Sequence, residues 1–341
     1  MEKKNLCGLT AEEIFGIIKQ KGFEFRHAVT IANLIYKKRI KDFSRVNKLP
    51  KSLLEFLDQN TTTIISEPVA AEESADKSVK YLFRNLSGMQ FETVYIPDGK
   101  RNTVCVSTQS GCRMGCPFCM TAKYGFHGDL AAGDILTQIL GLPHAGNVTH
   151  IVFMGMGEPL DNIDSVLQTC RIMTAEWGMA VSPRNITVST VGIAQGVRRF
   201  LDESGCNLTL SLYSPFDEER ARVIPAERKH PVLEILEIMR NYPVRKRRRL
   251  SIAYVMIREV NDTDSHLAGI VKMLKDTGIR VNLLPYHPVK DDPLSSSQEE
   301  KMMFFKHNLV MSGISASVRK SRGRDISAAC GLLATGLKTK A

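Results

Sequence analysis

The sequence predicts an α/β fold: a partial (β/α)6 TIM-type barrel with a small N-terminal helical/β accessory domain and a C-terminal cysteine-bearing tail. Three observations predict it. Six short apolar runs recur after residue 100, separated by segments long enough to hold a crossover helix. The chain before residue 98 has a different texture, helical at first and then alternating. Residues able to carry chemistry follow the ends of the apolar runs, where parallel barrels gather their sites.

From Thr10 to about Asn60 the chain reads as helices: Thr10-Ala-Glu-Glu supplies a cap and an acidic first turn, and Ile14, Ile17 and Ile18 recur at helical spacing. Pro50 and Asn60-Thr-Thr-Thr break that pattern. Between Ile64 and Pro97 the residues alternate as in strands, clearest in Val79-Lys-Tyr-Leu-Phe-Arg and Phe91-Glu-Thr-Val-Tyr-Ile, with Gly88 at a turn. Residues 1–97 are therefore expected to form the accessory module, 98–327 the barrel and 328–341 the tail. Barrel strands are expected at Thr103–Ser107, His150–Met154, Asn185–Ser189, Asn207–Leu212, Leu250–Val255 and Arg280–Pro285. There is no internal repeat and no low-complexity segment.

Composition narrows the class. Of the 341 residues, 43% are hydrophobic and 24% charged, as in soluble globular proteins, and no run approaches the ~18 apolar residues of a membrane span. Met1-Glu-Lys-Lys-Asn-Leu leads into no apolar stretch, so a secretory signal is not expected; a cytoplasmic monomer is. A formal charge of +10 favours an anionic partner, nucleic acid first, although charge alone fits an indifferent basic surface equally well. Arg245-Lys-Arg-Arg-Arg249 and Arg319-Lys-Ser-Arg-Gly-Arg324 can each neutralise several phosphates or merely form a solvated face.

Eight cysteines in a long chain without an export signal read as thiols rather than as a disulfide framework. Cys7, Cys170 and Cys206 read as small buried hydrophobes. Cys112-Arg-Met-Gly-Cys116-Pro-Phe-Cys119 is different. Its CxxxCxxC spacing, in the loop after the first barrel strand, lets three thiolates hold three irons of a 4Fe-4S cluster and leaves the fourth iron open. The competing reading is a zinc site closed by a fourth ligand such as His127. One βα unit later, Met154-Gly-Met-Gly-Glu158-Pro forms a glycine-rich turn that lets backbone approach a ligand and offers Glu158 to a cationic ammonium.

The CxxxCxxC spacing resembles that of enzymes in which the open iron binds S-adenosylmethionine (SAM). More specifically, Glu92-Thr-Val-Tyr-Ile-Pro, Cys105-Val-Ser-Thr-Gln-Ser-Gly-Cys112, Met154-Gly-Met-Gly-Glu-Pro-Leu, Val188-Ser-Thr-Val-Gly, Val260-Asn-Asp and Arg322-Gly-Arg-Asp-Ile-Ser-Ala-Ala-Cys330-Gly resemble the RlmN/Cfr family of radical SAM RNA methyltransferases, from about Leu9 to Leu333. The resemblance implies a radical SAM core, a 4Fe-4S cluster on Cys112, Cys116 and Cys119, and two SAM molecules per turnover. It implies SAM contacts from Gly157, Glu158, Ser189, Ser211, Leu212, Tyr213 and His287. By the same resemblance Cys330 carries the methyl group, Glu92 accepts a proton, and Cys105 resolves the enzyme–RNA adduct through a transient Cys105–Cys330 disulfide. Read without the resemblance, Cys330 and Cys105 are core cysteines, Glu92 is a solvated strand residue, and the two serines are turn formers.

The implied partners are RNA, namely 23S rRNA and tRNA, and a reducing electron donor such as flavodoxin. Lys320-Ser-Arg-Gly-Arg-Asp-Ile resembles the branch acting on adenine carbon 2 more than the Cfr-like carbon-8 branch. The chain departs from the family in two places: the family commonly has Ser-Leu-His at Ser211-Leu-Tyr213 and Asn-Pro at His287-Pro288. Tyr213 still offers a hydroxyl and a stacking face, and His287 a hydrogen-bonding ring. The alternatives kept beside the carbon-2 enzyme are a carbon-8 methyltransferase and a non-catalytic, zinc-stabilised RNA-binding protein.

Overall fold

The structure, a computed structural model, describes residues 3–44, 46–243, 248–288, 292–334 and 336. Arg245, Lys246 and Arg247 of the first basic cluster lie outside the described residues.

The chain begins with a helical layer. Lys4–Asn5 (β1) pairs in parallel with Thr61–Thr62 (β2), and between them run Ala11–Ile18 (α1), Phe25–Tyr36 (α2) and Lys51–Asn60 (α3). The cap read at Thr10 is a full capping box: its backbone N–H donates to the Glu13 carboxylate at 2.8 Å and its hydroxyl accepts from the Glu13 N–H at 3.3 Å.

Three antiparallel strands follow, Ala70–Glu73 (β3), Val79–Arg84 (β4) and Gln90–Asp98 (β5), and β5 pairs antiparallel with Arg101–Val106 (β6). The sheet therefore runs without a break across residue 97. After β6 come the ribbon Gln109–Gly111 (β7) and Phe126–Asp129 (β8), with Met120–Tyr124 (α4) between them. Strands and crossover helices then alternate: Ala132–Leu140 (α5), His150–Phe153 (β9), Ile163–Thr174 (α6), Ile186–Thr190 (β10), Ala194–Glu203 (α7), Asn207–Ser211 (β11), Asp217–Val223 (α8), Val232–Asn241 (α9), Leu250–Met256 (β12), Asp264–Leu274 (α10), Arg280–Pro285 (β13), Glu299–Met311 (α11) and Ala316–Val318 (β14). Strands β6, β9, β10, β11, β12, β13 and β14 are parallel neighbours in that order, an open partial barrel with the antiparallel β3–β5 on its other edge.

All six expected runs form strands. The seventh, β14, was not expected, because Ala-Ser-Val is too short and too weakly apolar to give a strand signal of 4–8 residues.

Strand alternation divides the barrel wall. Val104, Ile151, Phe153, Ile186, Val188, Leu208, Leu210, Ile252 and Val281 are fully buried on the outer face and join one core with Ile135, Val166, Val197, Ile235, Ile270 and Phe305 of the helices. The inner face carries Cys105, Thr187, Ser189, Thr209, Ser211, Ser251 and Asn282, as the cross-strand registers require. This lining, which Val152 and Ala253 share, is mostly polar, and several of its members are only half-buried. It is thus a cavity wall rather than packed layers of branched side chains.

Candidate active site

The cysteine loop leaves the carboxyl end of β6. Gly111 makes the turn possible: its φ is +81°, and a Cβ there would lie 1.5 Å from the Gly125 carbonyl oxygen. The Cys112 N–H donates to that oxygen at 3.2 Å, and the Cys119 N–H donates to the Cys116 carbonyl at 3.1 Å. Burial pushes the Cys112 and Cys116 thiols up to about 12, and the neighbouring sulfurs push in the same direction: Cys119 acts on Cys112, while Cys119 and Cys112 act on Cys116. Two buried sulfurs that resist ionisation, with that of Cys119 beside them, fit a bound metal group, whose positive charge offsets both effects.

Among the described residues no three His, Cys, Asp or Glu groups converge as a single ion would require. His127, the fourth ligand of the zinc reading, instead contacts the Tyr124 carbonyl oxygen at 3.2 Å and the Tyr124 ring.

Arg113 anchors this loop. Its guanidinium meets Asp161 at 2.6 Å and Asp129 at 3.1 Å and lies 4.0 Å from the centre of the Phe126 ring. Gln109 donates to the same two carboxylates at 2.7 and 2.8 Å, while its carbonyl accepts the Glu158 N–H at 2.9 Å. The cysteine loop and the glycine turn after β9 are thereby one hydrogen-bonded unit. Gly157 in that turn has φ +95° and lies against Gln109, where any side chain would clash.

Glu158 is buried, and its carboxylate accepts the N–H groups of Leu160 at 3.0 Å and Val191 at 2.9 Å. Burial pushes this carboxyl up to about 7. Ser189 and Ser211 face the cavity near the carboxyl ends of β10 and β11. Leu212 does not: its side chain is fully buried in the core, so only its backbone can serve a ligand. Tyr213 adopts a left-handed φ of +65° and stacks on Phe118 of the cysteine loop, with ring centres 5.8 Å apart and planes 9° off parallel. His287 follows β13, and its Nε2 contacts the Ser321 hydroxyl at 3.0 Å. Burial holds its imidazole below the usual value, with Arg324 adding to the effect.

The tail is strapped across the antiparallel edge. Arg322 meets Asp98 at 3.1 Å, the Gly323 N–H donates to Asp76 at 2.9 Å, and Asp325 accepts from the Ser74 hydroxyl at 2.5 Å and the Ala75 N–H at 3.0 Å. Buried Lys80 holds the Ile326 carbonyl. Further along, the Met120 N–H donates to the Gly331 carbonyl at 2.9 Å and the Thr121 hydroxyl to the Leu333 carbonyl at 2.7 Å, which seats the tail on α4 beside Cys119. Burial raises the Cys330 thiol, and Cys119 adds to the rise; burial raises the Cys105 thiol, and Cys330 adds to that. Cys330 is nonetheless exposed, a thiol surrounded by protein but still reached by solvent. Glu92 is fully buried on β5. Because Val94 pairs with Cys105, Glu92 and Cys105 share the inner face.

Five thiols, four from residues 105–119 and one from the tail, thus meet in one neighbourhood. Cys7, Cys170 and Cys206 are buried elsewhere in the core. Sequence reasoning missed Arg220, which is fully buried, ion-paired with Glu227 and donating to the carbonyls of Val191 at 2.6 Å, Leu212 at 3.0 Å and Ser211 at 3.1 Å. It fixes the carboxyl ends of β10 and β11. Within Asp217-Glu-Glu-Arg220-Ala-Arg it reads as a surface helix, and only its burial reveals the role.

Residues 106–274 match the radical SAM superfamily. Over 338 residues the chain is 41% identical to a protein of Phocaeicola vulgatus described as a probable dual-specificity RNA methyltransferase RlmN, covering 99% of this chain and 97% of that one. This chain belongs to the RlmN family of radical SAM RNA methyltransferases. A Thermus thermophilus RlmN of the same description is 41% identical over 310 residues, 89% of this chain and 87% of its own. A crystal structure of a radical SAM methyltransferase from Sphaerobacter thermophilus matches with a TM-score of 0.88 at 34% identity, covering 96% of this chain and 98% of that one. As an RlmN-family enzyme the protein is a SAM-dependent RNA methyltransferase whose cofactors are a 4Fe-4S cluster and SAM, two per turnover. Among the described residues no helix is long and apolar enough to cross a membrane.

Proposed function

We propose that this enzyme methylates carbon 2 of an adenosine in 23S rRNA and in tRNA, with Cys112, Cys116 and Cys119 holding the cluster, Cys330 carrying the methyl group and Cys105 releasing the product. The observation that carries this reading is the position of Cys330: the strapped tail sets it beside Cys119 on one side and Cys105 on the other. The carbon-2 assignment draws support from Lys320-Ser-Arg-Gly-Arg-Asp-Ile, and two RNA classes from the dual specificity in the relatives' names.

The cluster and SAM, when bound, supply a carbon-centred radical. Cys330 must first lose its proton, because only the thiolate attacks the SAM methyl group well. The methyl group on the Cys330 sulfur then gives up one hydrogen atom, for which that radical would be the acceptor, and the resulting methylene carbon bonds to the adenine ring, joining enzyme and RNA. The adduct gives up one electron, for which the bound cluster would be the acceptor, and Glu92, inward-facing beside Cys105, takes the ring proton. The Cys105 thiolate attacks the Cys330 sulfur, the C–S electron pair returns to the methylene carbon, and protonation there completes the methyl group. A Cys105–Cys330 disulfide remains for reduction. Ser189, Ser211, the Leu212 backbone, Tyr213, Gly157, Glu158 and His287 line the SAM site. Residues 1–97 serve as an RNA-binding accessory module to the 98–327 core, and the enzyme works as a cytoplasmic monomer fed by a flavodoxin-type donor.

The test is anaerobic incubation of reconstituted enzyme with reductant, SAM and RNA from a strain lacking the gene, followed by nucleoside mass spectrometry. 2-Methyladenosine is expected. 8-Methyladenosine moves the enzyme to the other branch, and RNA methylation surviving Cys330→Ala overturns the carrier role.

A further inference from the structure

The amino ends of the parallel strands lie opposite the cysteine site, and four of them, β6, β9, β12 and β13, carry a basic inward residue there. Arg101 continues the inward row of Thr103 and Cys105, His150 that of Val152, Arg249 that of Ser251, and Arg280 that of Asn282. The register sets Thr103 against His150 and Ser251 against Arg280. Arg319, after the inward Ser317, reaches back to donate from Nε to Asn282 Oδ1 at 3.1 Å. Arg101 and Arg249 both act on Arg319 and on His150, holding each below its ordinary value once burial has acted.

Among the described residues none of these four arginines forms an ion pair. The acid across from Arg101 is Asp98, and its carboxylate is taken by Arg322 at 3.1 Å. A structural cluster would pair its cations; this one leaves several guanidinium forks exposed around one opening, and such forks match phosphate oxygens.

We propose that the amino-end mouth of the barrel is a phosphate site that grips the backbone of the substrate RNA away from the reacting adenine, with Arg101, Arg249 and Arg319 as donors and Arg280 at its edge. The chemistry is that of any phosphate; the RNA backbone is the source because the mouth is open and the family's substrate is RNA. The site rests on the RNA-methyltransferase reading and does not depend on which ring carbon is modified.

The experiment measures binding of a 23S rRNA transcript spanning the peptidyl-transferase region to the cluster-loaded enzyme over a salt series. Arg249→Gln with Arg319→Gln is expected to weaken binding and to lower the slope of log K against log salt by about 1 for each phosphate no longer neutralised. Arg249→Lys with Arg319→Lys keeps the charges and should retain the slope. Iron content and SAM affinity should be unchanged in all variants, which separates loss of the site from damage to the fold. An unchanged slope in the glutamine pair overturns the proposal, as does an equal fall of the slope in the lysine pair. Pyrophosphate binding that depends on the same arginines while the RNA slope stays constant overturns the RNA assignment in favour of a free phosphate ligand. Failure to find a methylated adenosine would instead count against the proposed reaction, since the slope is read without turnover.

Discussion

The two faces of the same strands obey different rules. Outward residues such as Val104, Phe153, Val188 and Leu210 are apolar and sealed against helices, while their inward neighbours Cys105, Ser189 and Ser211 are small or polar and line a cavity. Stability therefore comes from one side of the sheet, and the other side is free to hold chemistry. Cys105 shows how fine the division is: one residue either way along β6 lies a valine that serves only packing.

Substitutions on the inner side should abolish turnover at little cost in stability. The largest effect is expected for Cys330→Ala: complete loss of methylated adenosine by mass spectrometry, with iron content and thermal midpoint retained. Cys105→Ala should stop the reaction one stage later, so that denaturing gels show protein covalently joined to RNA. If Cys105→Ala instead turned over normally, the shared inner face of Cys105 and Glu92 would have no resolving role. The outer side should behave inversely. Phe153→Ala removes a fully buried ring and should cost about 3–5 kcal/mol in denaturant unfolding, while folded molecules remain competent to bind SAM.

Glu158 crosses the division, since it is buried like an outer residue yet belongs to the glycine turn. Its carboxyl, at about 7, lies above the ordinary 4.5, so the folded chain keeps a proton that the unfolded chain has already lost between those values. The cofactor-free protein should thus lose roughly 3 kcal/mol from this group as pH rises through that window. Glu158→Gln should flatten that part of the stability profile, read as thermal midpoint against pH.

The outer face was legible in the sequence because it is written locally: apolar runs of strand length, repeated at crossover spacing, specify the parallel sheet. The cysteine loop was legible for a similar reason, since three cysteines within eight residues form a self-contained pattern. Contacts spanning long stretches of chain were not. Nothing in Asp76 or Asp325 reveals that they tie the tail to the β3–β4 turn across some 250 residues, and nothing in Arg220 reveals its burial. Leu212 is a motif position whose side chain turns into the core, which leaves its backbone as the part able to meet a cofactor, a distinction no sequence pattern carries. β14 escaped because three residues are too few for periodicity to register.

Tyr213 offers the smallest and most discriminating test. It stands where the family commonly has histidine, and the structure places its ring on Phe118, between Cys116 and Cys119 of the cysteine loop. A stacked pair of this kind is worth about 0.5–1.5 kcal/mol beyond its buried area, so the aromatic face rather than the hydroxyl should matter. Tyr213→Phe keeps the stack and should change SAM affinity little. Tyr213→Leu loses it and should weaken SAM binding by up to about tenfold while loosening the cysteine loop, seen as faster iron release to a chelator. If Phe and Leu behave alike, the stack has no bearing on the loop, and Tyr213 meets cofactor through its hydroxyl or its backbone. The backbone is a genuine contender, because the left-handed φ of +65° lets the Tyr213 carbonyl accept from Asn261 Nδ2 at 2.8 Å, and Asn261→Ala would remove that support with the ring left in place.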